Sequence, residues 1–240
     1  MRYSVIVPFK DEEENIKTLV NELESVMEGM GQKWEFIAIN DGSTDRSLSI
    51  LQNLCLKKSY LRLLSSPRNL GQSAALNAGF KAARGEWIIT LDGDCQNDPT
   101  DIVKLIGATP DCDLVVGWRI NRQDPWKKKI ISQISNWIRS RLCRDGMHDS
   151  GCSLKIYRSE ALKKIKMYHG MHRFLPALFK IEGFSVKEIT VNHRKRLKGK
   201  TKYHFFNRSI GPILDMFVVY WMHRRALNSK DHKEFSPDDN

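Results

Sequence analysis

Short apolar runs recur along the first half of the chain, each followed by a longer segment with apolar residues at helical spacing. Ser4-Val5-Ile6-Val7 reads as a strand. Ile16, Leu19, Val20, Leu23 and Met27 then line one face of a helix that stops near Gly29 and Gly31. Phe36-Ile37-Ala38-Ile39 predicts a second strand, and a helix over about 46–57 follows it. The pair repeats as Leu61-Arg62-Leu63-Leu64 with a helix over about 72–83, where small residues allow close packing. Trp87-Ile88-Ile89-Thr90-Leu91, a helix over about 100–107 and the strand Leu114-Val115-Val116 extend the series. Strands alternating with helices of this length predict an α/β fold with a mostly parallel sheet covered on both faces. In such sheets ligands sit beyond the carboxyl ends of the strands. The unusual polar clusters of this half fall there.

Beyond residue 120 the rhythm changes. The basic stretch Arg119, Arg122, Lys127, Lys128 and Lys129 leads into an amphipathic helix over Ile130 to Leu142, whose apolar face either packs on the sheet or, with Trp126 and Trp137 beside it, meets a membrane interface. Residues 193–204 hold six Lys or Arg and no acid, and a second amphipathic segment carries Ile213, Leu214, Phe217, Val218 and Trp221. The residues from Asn228 are polar and read as a disordered tail. No run of 18 apolar residues exists, and the amino terminus turns polar at Lys10, too early for a signal peptide.

Charge divides the chain in the same place. Residues 1–110 carry 12 basic and 15 acidic side chains, whereas residues 111–240 carry 27 and 13, giving +11 overall. An acidic-leaning half joined to a strongly basic one points to polyanions, anionic membrane or phosphorylated ligands on the basic side. A nucleic-acid module would explain the charge, but no recognition motif or stacking platform accompanies it. The five cysteines are scattered without a Cys-x-x-Cys pair, against a disulfide scaffold or zinc ribbon. Cys143, His148 and Cys152 match no standard metal spacing.

After the fourth strand comes Asp92-Gly93-Asp94-Cys95-Gln96. Two carboxylates two residues apart at a strand end can converge on Mg²⁺ or Mn²⁺ and leave positions for diphosphate oxygens, although Asp and Gly also make ordinary turns. After the second strand, in Asn40-Asp41-Gly42-Ser43-Thr44-Asp45, Ser43 or Thr44 is expected to cap the next helix, leaving Asp41 to accept hydrogen bonds from a ribose or base. No Gly-x-Gly-x-x-Gly and no Walker-type loop is present, against NAD sites and P-loop ATPases. A phosphatase would place its Asp-x-Asp after the first strand, and a sugar nucleotidyltransferase would place a Gly-rich basic loop there. Here that loop is Pro8-Phe9-Lys10-Asp11-Glu12-Glu13-Glu14.

In combination these clusters are specific. Val5-Ile6-Val7-Pro8 with Glu12 and Asn15, Asn40 to Asp45, Asn69-x-Gly71 to Asn77-x-Gly79 and Asp92-Gly93-Asp94 resemble glycosyltransferase family 2, of GT-A fold. Gly117-x-Arg119, Asp149-Ser150-Gly151-Cys152 and Arg196 to Tyr203 bring the resemblance closer to the polyprenyl-phosphate sugar transferases, dolichol-phosphate mannosyltransferase among them, over about residues 3–225. The resemblance implies a UDP- or GDP-linked sugar donor, an undecaprenyl or dolichyl phosphate acceptor, and inverting transfer at the cytoplasmic face of a membrane. Another acceptor within the family, such as a glycolipid or surface polysaccharide, is the alternative. By that likeness Pro8, Glu12 and Asp41 hold the nucleoside, while Asp92, Asp94 and Gln96 surround the metal and diphosphate. Arg119, Lys128 and Ser132 meet the acceptor phosphate, and Arg196 and Lys202 close over the donor diphosphate. Asp94, Asp149 and Arg119 are the expected catalytic group. The implied organisation is a GT-A domain over 1–205, with a nucleotide-sugar half (1–117) and an acceptor half (118–205), then a membrane-associated helix (206–227) and the tail (228–240). The motif of the processive synthases, Gln-x-x-Arg-Trp, is lacking. Gln133-Ile134-Ser135-Asn136-Trp137 has no Arg, which disfavours polymer synthesis.

Overall fold

The computed structural model describes residues 1–120, 139–195 and 210–226. Lys128, Ser132, Arg196 and Lys202, most of the helix expected over Ile130–Leu142, and the tail lie outside these residues. The strands are β1 (Tyr3–Phe9), β2 (Trp34–Asp41), β3 (Leu61–Ser66), β4 (Trp87–Thr90), β5 (Leu114–Arg119), β6 (Lys155–Arg158) and β7 (Val186–Val191). They form one sheet in the order β3-β2-β1-β4-β6-β5-β7. β1, β2, β3 and β4 run parallel, as do β5 and β7, and β6 is antiparallel to both β4 and β5.

The helices are α1 (Ile16–Gly29), α2 (Ser47–Lys57), α3 (Gln72–Ala82), α4 (Asp101–Gly107), α5 (Ser159–Lys164), α6 (Leu175–Ile181) and α7 (Ile210–Arg225). Covering the sheet on both sides explains why β1 reads as an unbroken apolar run. Val5 and Val7 face one core cluster with α1 and α4, while Ile6 faces the other with α3, α5 and α6. The five apolar positions that predict α1 are the five it buries, each stabilising by about 1.5–3 kcal/mol. On the opposite face α3 lies close to the sheet. A Cβ at Gly79 would stand 2.6 Å from Ile6 Cγ2 and 2.8 Å from Ile39 Cδ1, so the small-residue pattern has its expected use.

Three features differ from or exceed the sequence pattern. Neither Ser43 nor Thr44 caps α2. The Ser47 N–H at its start is taken by Asp45 Oδ1 (2.9 Å), while Ser43 Oγ accepts the Asp11 N–H (3.0 Å) and the Thr44 N–H reaches Asp11 Oδ1 (2.6 Å). These contacts tie the β1–α1 loop to the β2–α2 loop instead. Second, β6 is a four-residue strand with a cation at each end, which hides it from apolar periodicity. Lys155 is buried beside β4, and the Arg158 guanidinium lies 4.8 Å from the centre of the Trp87 ring and 2.9 Å from Asp113. Third, α7 is apolar on two sides. Val219 is fully buried with Met216 and Met222 packed against the core, yet Ile213, Leu214, Phe217, Val218 and Trp221 are all exposed. No described helix is long and apolar enough to cross a membrane.

Candidate active site

Because β1, β2 and β4 are parallel, their carboxyl ends and following loops share one edge of the sheet. Asp41 ends β2 there and is buried. Its carboxylate accepts two backbone hydrogen bonds, one on each oxygen, and each oxygen keeps a second lone pair for a ligand donor. Oδ1 accepts the Leu70 N–H at 2.7 Å and Oδ2 the Gly71 N–H at 3.0 Å, so Asp41 fixes the loop that opens α3. The next residue, Gly42, has φ +63°, and a Cβ would stand 2.3 Å from the Arg68 carbonyl carbon. Pro8 lies beside Ile39 in the β1–β2 register. Glu12, in the loop after β1, gives its N–H to Ser47 Oγ (2.9 Å) and accepts from Asn15 Nδ2 (2.6 Å).

Asp92 and Asp94 follow β4 in a turn that only a glycine can complete. A Cβ at Gly93 would stand 2.6 Å from the Phe9 ring, and Cys95 holds φ +58°. Gln72 Nε2, from the first turn of α3, donates to Asp92 Oδ1 at 2.9 Å, so the loop held by Asp41 also reaches Asp92. Burial and the neighbouring Asp94 carboxylate push the Asp92 carboxyl above its ordinary range, against the pull of Ser153, Arg119 and Lys155. Gln96 donates its N–H to Asp94 Oδ1 (3.1 Å) and its side-chain amide nitrogen to the Arg194 carbonyl (3.5 Å). Among the described residues no cluster of three or more His, Cys, Asp or Glu stands ready for a metal. Two mutually repelling carboxylates and an amide oxygen do suit a hard divalent cation whose other positions are filled by diphosphate and water.

Arg119 ends β5, and its guanidinium grips Asp149 with both arms, Nε to Oδ2 at 2.6 Å and Nη2 to Oδ1 at 2.9 Å. Burial alone would lower the Arg119 pKa, but Asp149 outweighs it and holds the cation above its ordinary range. β6 brings these groups under the Asp92 turn. Thr90 Oγ1 donates to the Ser153 carbonyl (2.7 Å), Ser153 Oγ donates to Asn97 Oδ1 (2.7 Å), and Asn97 Oδ1 in turn accepts the Asp92 N–H (3.4 Å). Lys155 Nζ donates to the Cys152 carbonyl oxygen. Its burial lowers its pKa, opposed by Cys152, Asp149 and Asp92. Cys143 and Cys152 fall in opposite core clusters, which separates the Cys143–His148–Cys152 set. After β7, His193 bridges Asn97, and Arg194 pairs with Glu22 (2.7 Å) and Asp98 (2.8 Å).

The structure therefore gathers Asp92, Asp94, Gln96, Arg119 and Asp149 around one end of β4, β6 and β5. Gln72, Asn97, Ser153, Lys155, Glu188 and His193 join them without having been singled out by motif. Of these, only the small-residue run after Asn69 offered a signal, since it contains Gln72.

A mixed sheet covered on both faces, with a polar carboxyl edge built on an Asp-x-Asp turn, is the architecture of a GT-A-type domain. The chain belongs to glycosyl transferase family 2, whose model matches residues 4–166. It is 37% identical over 233 residues to the dodecaprenyl-phosphate galacturonate synthase of Rhizobium johnstonii, covering 94% of this chain and 69% of that one. Among solved structures it resembles the Mycobacterium tuberculosis glucosyl-3-phosphoglycerate synthase in complex with Mn²⁺, UDP-glucose and phosphoglyceric acid. The TM-score is 0.69 at 15% identity, over 95% of this chain and 81% of that one. The Pyrobaculum calidifontis mannosyltransferase in complex with GDP-mannose and Mn²⁺ gives a TM-score of 0.62 at 17% identity, over 83% of this chain and 58% of that one.

Proposed function

We propose that this glycosyltransferase moves a sugar from a nucleotide-sugar to a polyprenyl phosphate, with inversion, on a membrane surface. What carries the reading is the meeting of two charge sets on one sheet edge, the Asp92–Asp94 pair after β4 and the Arg119–Asp149 pair after β5. The curated relative, with its dodecaprenyl-phosphate name and high coverage, supports the acceptor class.

Asp92, Asp94 and Gln96 would hold Mg²⁺ or Mn²⁺, which when bound supplies positive charge to the diphosphate that departs. Asp41 keeps the Leu70–Gly71 loop in place, and through Gln72 that loop orients Asp92. Pro8 and Glu12 border the nucleoside end of the same edge. The acceptor phosphate is ionised at neutral pH, so the protein's task is positioning and charge management more than proton abstraction. Arg119 offers the acceptor a cation whose direction is set by Asp149. Lys128 and Ser132 on the acceptor side, and Arg196 and Lys202 on the donor diphosphate, complete the proposed roles. The exposed apolar residues of α7, ending in His223, Arg224 and Arg225, suit a peripheral seat on an anionic bilayer at the cytoplasmic side.

The test is a panel of UDP- and GDP-sugars, UDP-galacturonate included, with Mg²⁺ or Mn²⁺ and undecaprenyl or dolichyl phosphate, following lipid-linked product. Formation of a lipid-linked sugar that disappears with EDTA is the expected result. Failure with every lipid phosphate but success with a soluble acceptor would overturn the acceptor assignment.

A further inference from the structure

The loop at 145–151 crosses the carboxyl end of β5, and one carboxylate on β7 holds it there. Glu188 pairs with Val116 in the β5–β7 register, and its side chain is 10% exposed. Its Oε1 accepts the Asp149 N–H at 2.8 Å, and its Oε2 accepts the His148 N–H at 3.0 Å. The same Oε2 meets His148 Nδ1 at 2.9 Å, and the His148 ring stacks on Trp118 with centroids 4.2 Å apart and planes 13° apart. Trp118 and Arg119 are successive strand residues and point to opposite faces. One therefore receives the His148 ring and the other the Asp149 carboxylate.

We propose that Glu188 is a positioning residue for sugar transfer, clamping the two amides at 148 and 149 so that Asp149 meets Arg119 through both of its oxygens. This rests on the reading that the Arg119–Asp149 pair stands at the reacting centre. The chemistry asks for a carboxylate, because both backbone groups are donors and need two accepting oxygens on one side chain. An isosteric amide satisfies one and turns its NH₂ against the other. The strand has no need of this side chain to pair. β7 is in register with β5 from Leu114↔Val186 to Arg119↔Val191, and Ile189 and Val191 anchor it in the core. Glu188 thus acts on the loop rather than on the sheet.

The experiment is Glu188→Gln in the full chain, with two readouts. In hydrogen exchange, the amides of His148 and Asp149 are expected to exchange at least about tenfold faster while those of β4 and β5 keep their protection. In the lipid-phosphate assay, kcat is expected to fall about ten- to a hundredfold, the usual effect of removing a group that orients a functional one, with the donor KM within about twofold. Unchanged exchange at 148 and 149 overturns the clamp. Wild-type kcat in the variant overturns its role in catalysis. A wild-type chain without lipid-phosphate turnover counts against the acceptor reading alone, and the exchange arm still decides the clamp.

Discussion

Asp149→Asn isolates what the buried pair with Arg119 contributes. The side chains are 5% and 14% exposed, and two N–H···O contacts of 2.6 and 2.9 Å join them, so the pair is largely shielded from solvent. Two estimates of the cost agree. A pair of unit charges about 4 Å apart at an effective dielectric near 20 attracts by about 4 kcal/mol. Removing one partner of a buried pair costs about 3–5 kcal/mol because the other charge is left uncompensated. In the variant, an amide NH₂ would face a guanidinium that stays protonated. For a chain of this size each kcal/mol moves the melting temperature by about 2–4 °C, so thermal unfolding followed by circular dichroism at pH 7 should show a fall of roughly 6–20 °C. The companion Arg119→Met with Asp149→Leu removes both charges and should recover most of that loss while remaining inactive, since replacing a buried pair with apolar residues is commonly neutral or better. An Asp149→Asn protein melting within about 2 °C of wild type would refute the reasoning, because the pair would then contribute no more than an exposed one.

Three further outcomes follow from the same geometry. Asp94→Asn removes the like charge beside Asp92. Because the Asp92 carboxyl is held above its ordinary range, its ionised form costs stability as pH rises through that value. The metal-free variant should therefore melt higher than wild type at pH 7 while losing at least about tenfold in turnover with saturating Mn²⁺, and a variant equal to wild type in both would sink the assignment. Burial pushes Glu35 up, but Ser4, Arg62 and the Arg84 N–H outweigh it and hold its pKa below the ordinary value. Its stabilisation is present above about pH 4.3 and lost as pH falls through the lower folded value, so the deficit of Glu35→Gln in urea unfolding, about 1.5–3 kcal/mol at pH 7, should shrink by pH 3. Phe217→Ser with Trp221→Ser should weaken flotation with anionic liposomes by tenfold or more, each large side chain being worth about 1.5–3 kcal/mol on burial, and equal flotation would exclude α7 as the seat.

Periodicity located β1 to β5 and α1 to α4, most clearly where an element buries an uninterrupted or one-faced apolar set, as β4 and α1 do, because removing such sets from water is the dominant force. The same signal fails at β6, where Lys155 and Arg158 flank only Ile156 and Tyr157. Lys155 is buried by carbonyl and carboxylate neighbours that come from distant segments, and no local pattern encodes them. The site divides the same way. Asp92, Asp94, Arg119 and Asp149 are legible because spacing after a strand end is a local property, whereas Glu188 acquires its role only when β7 is laid beside β5. Asp41 was legible as a polar strand end, but what its oxygens accept depended on where residues 70 and 71 fold back.

The position of β6 also changes what the charge asymmetry means. The first 110 residues and the basic remainder do not form two separate layers of the sheet. β6, from the basic part, is inserted antiparallel between β4 and β5, so residues 149–155 pass beneath the Asp92 turn. Arg119, Lys155 and Arg194 are thereby placed against acids of the first half or beside the Asp92–Asp94 pair. Part of the excess positive charge is therefore internal to the site and balances its carboxylates. It cannot be screened by salt as an exposed patch would be. Raising ionic strength should thus strip the protein from anionic vesicles well before it disturbs donor binding at the sheet edge.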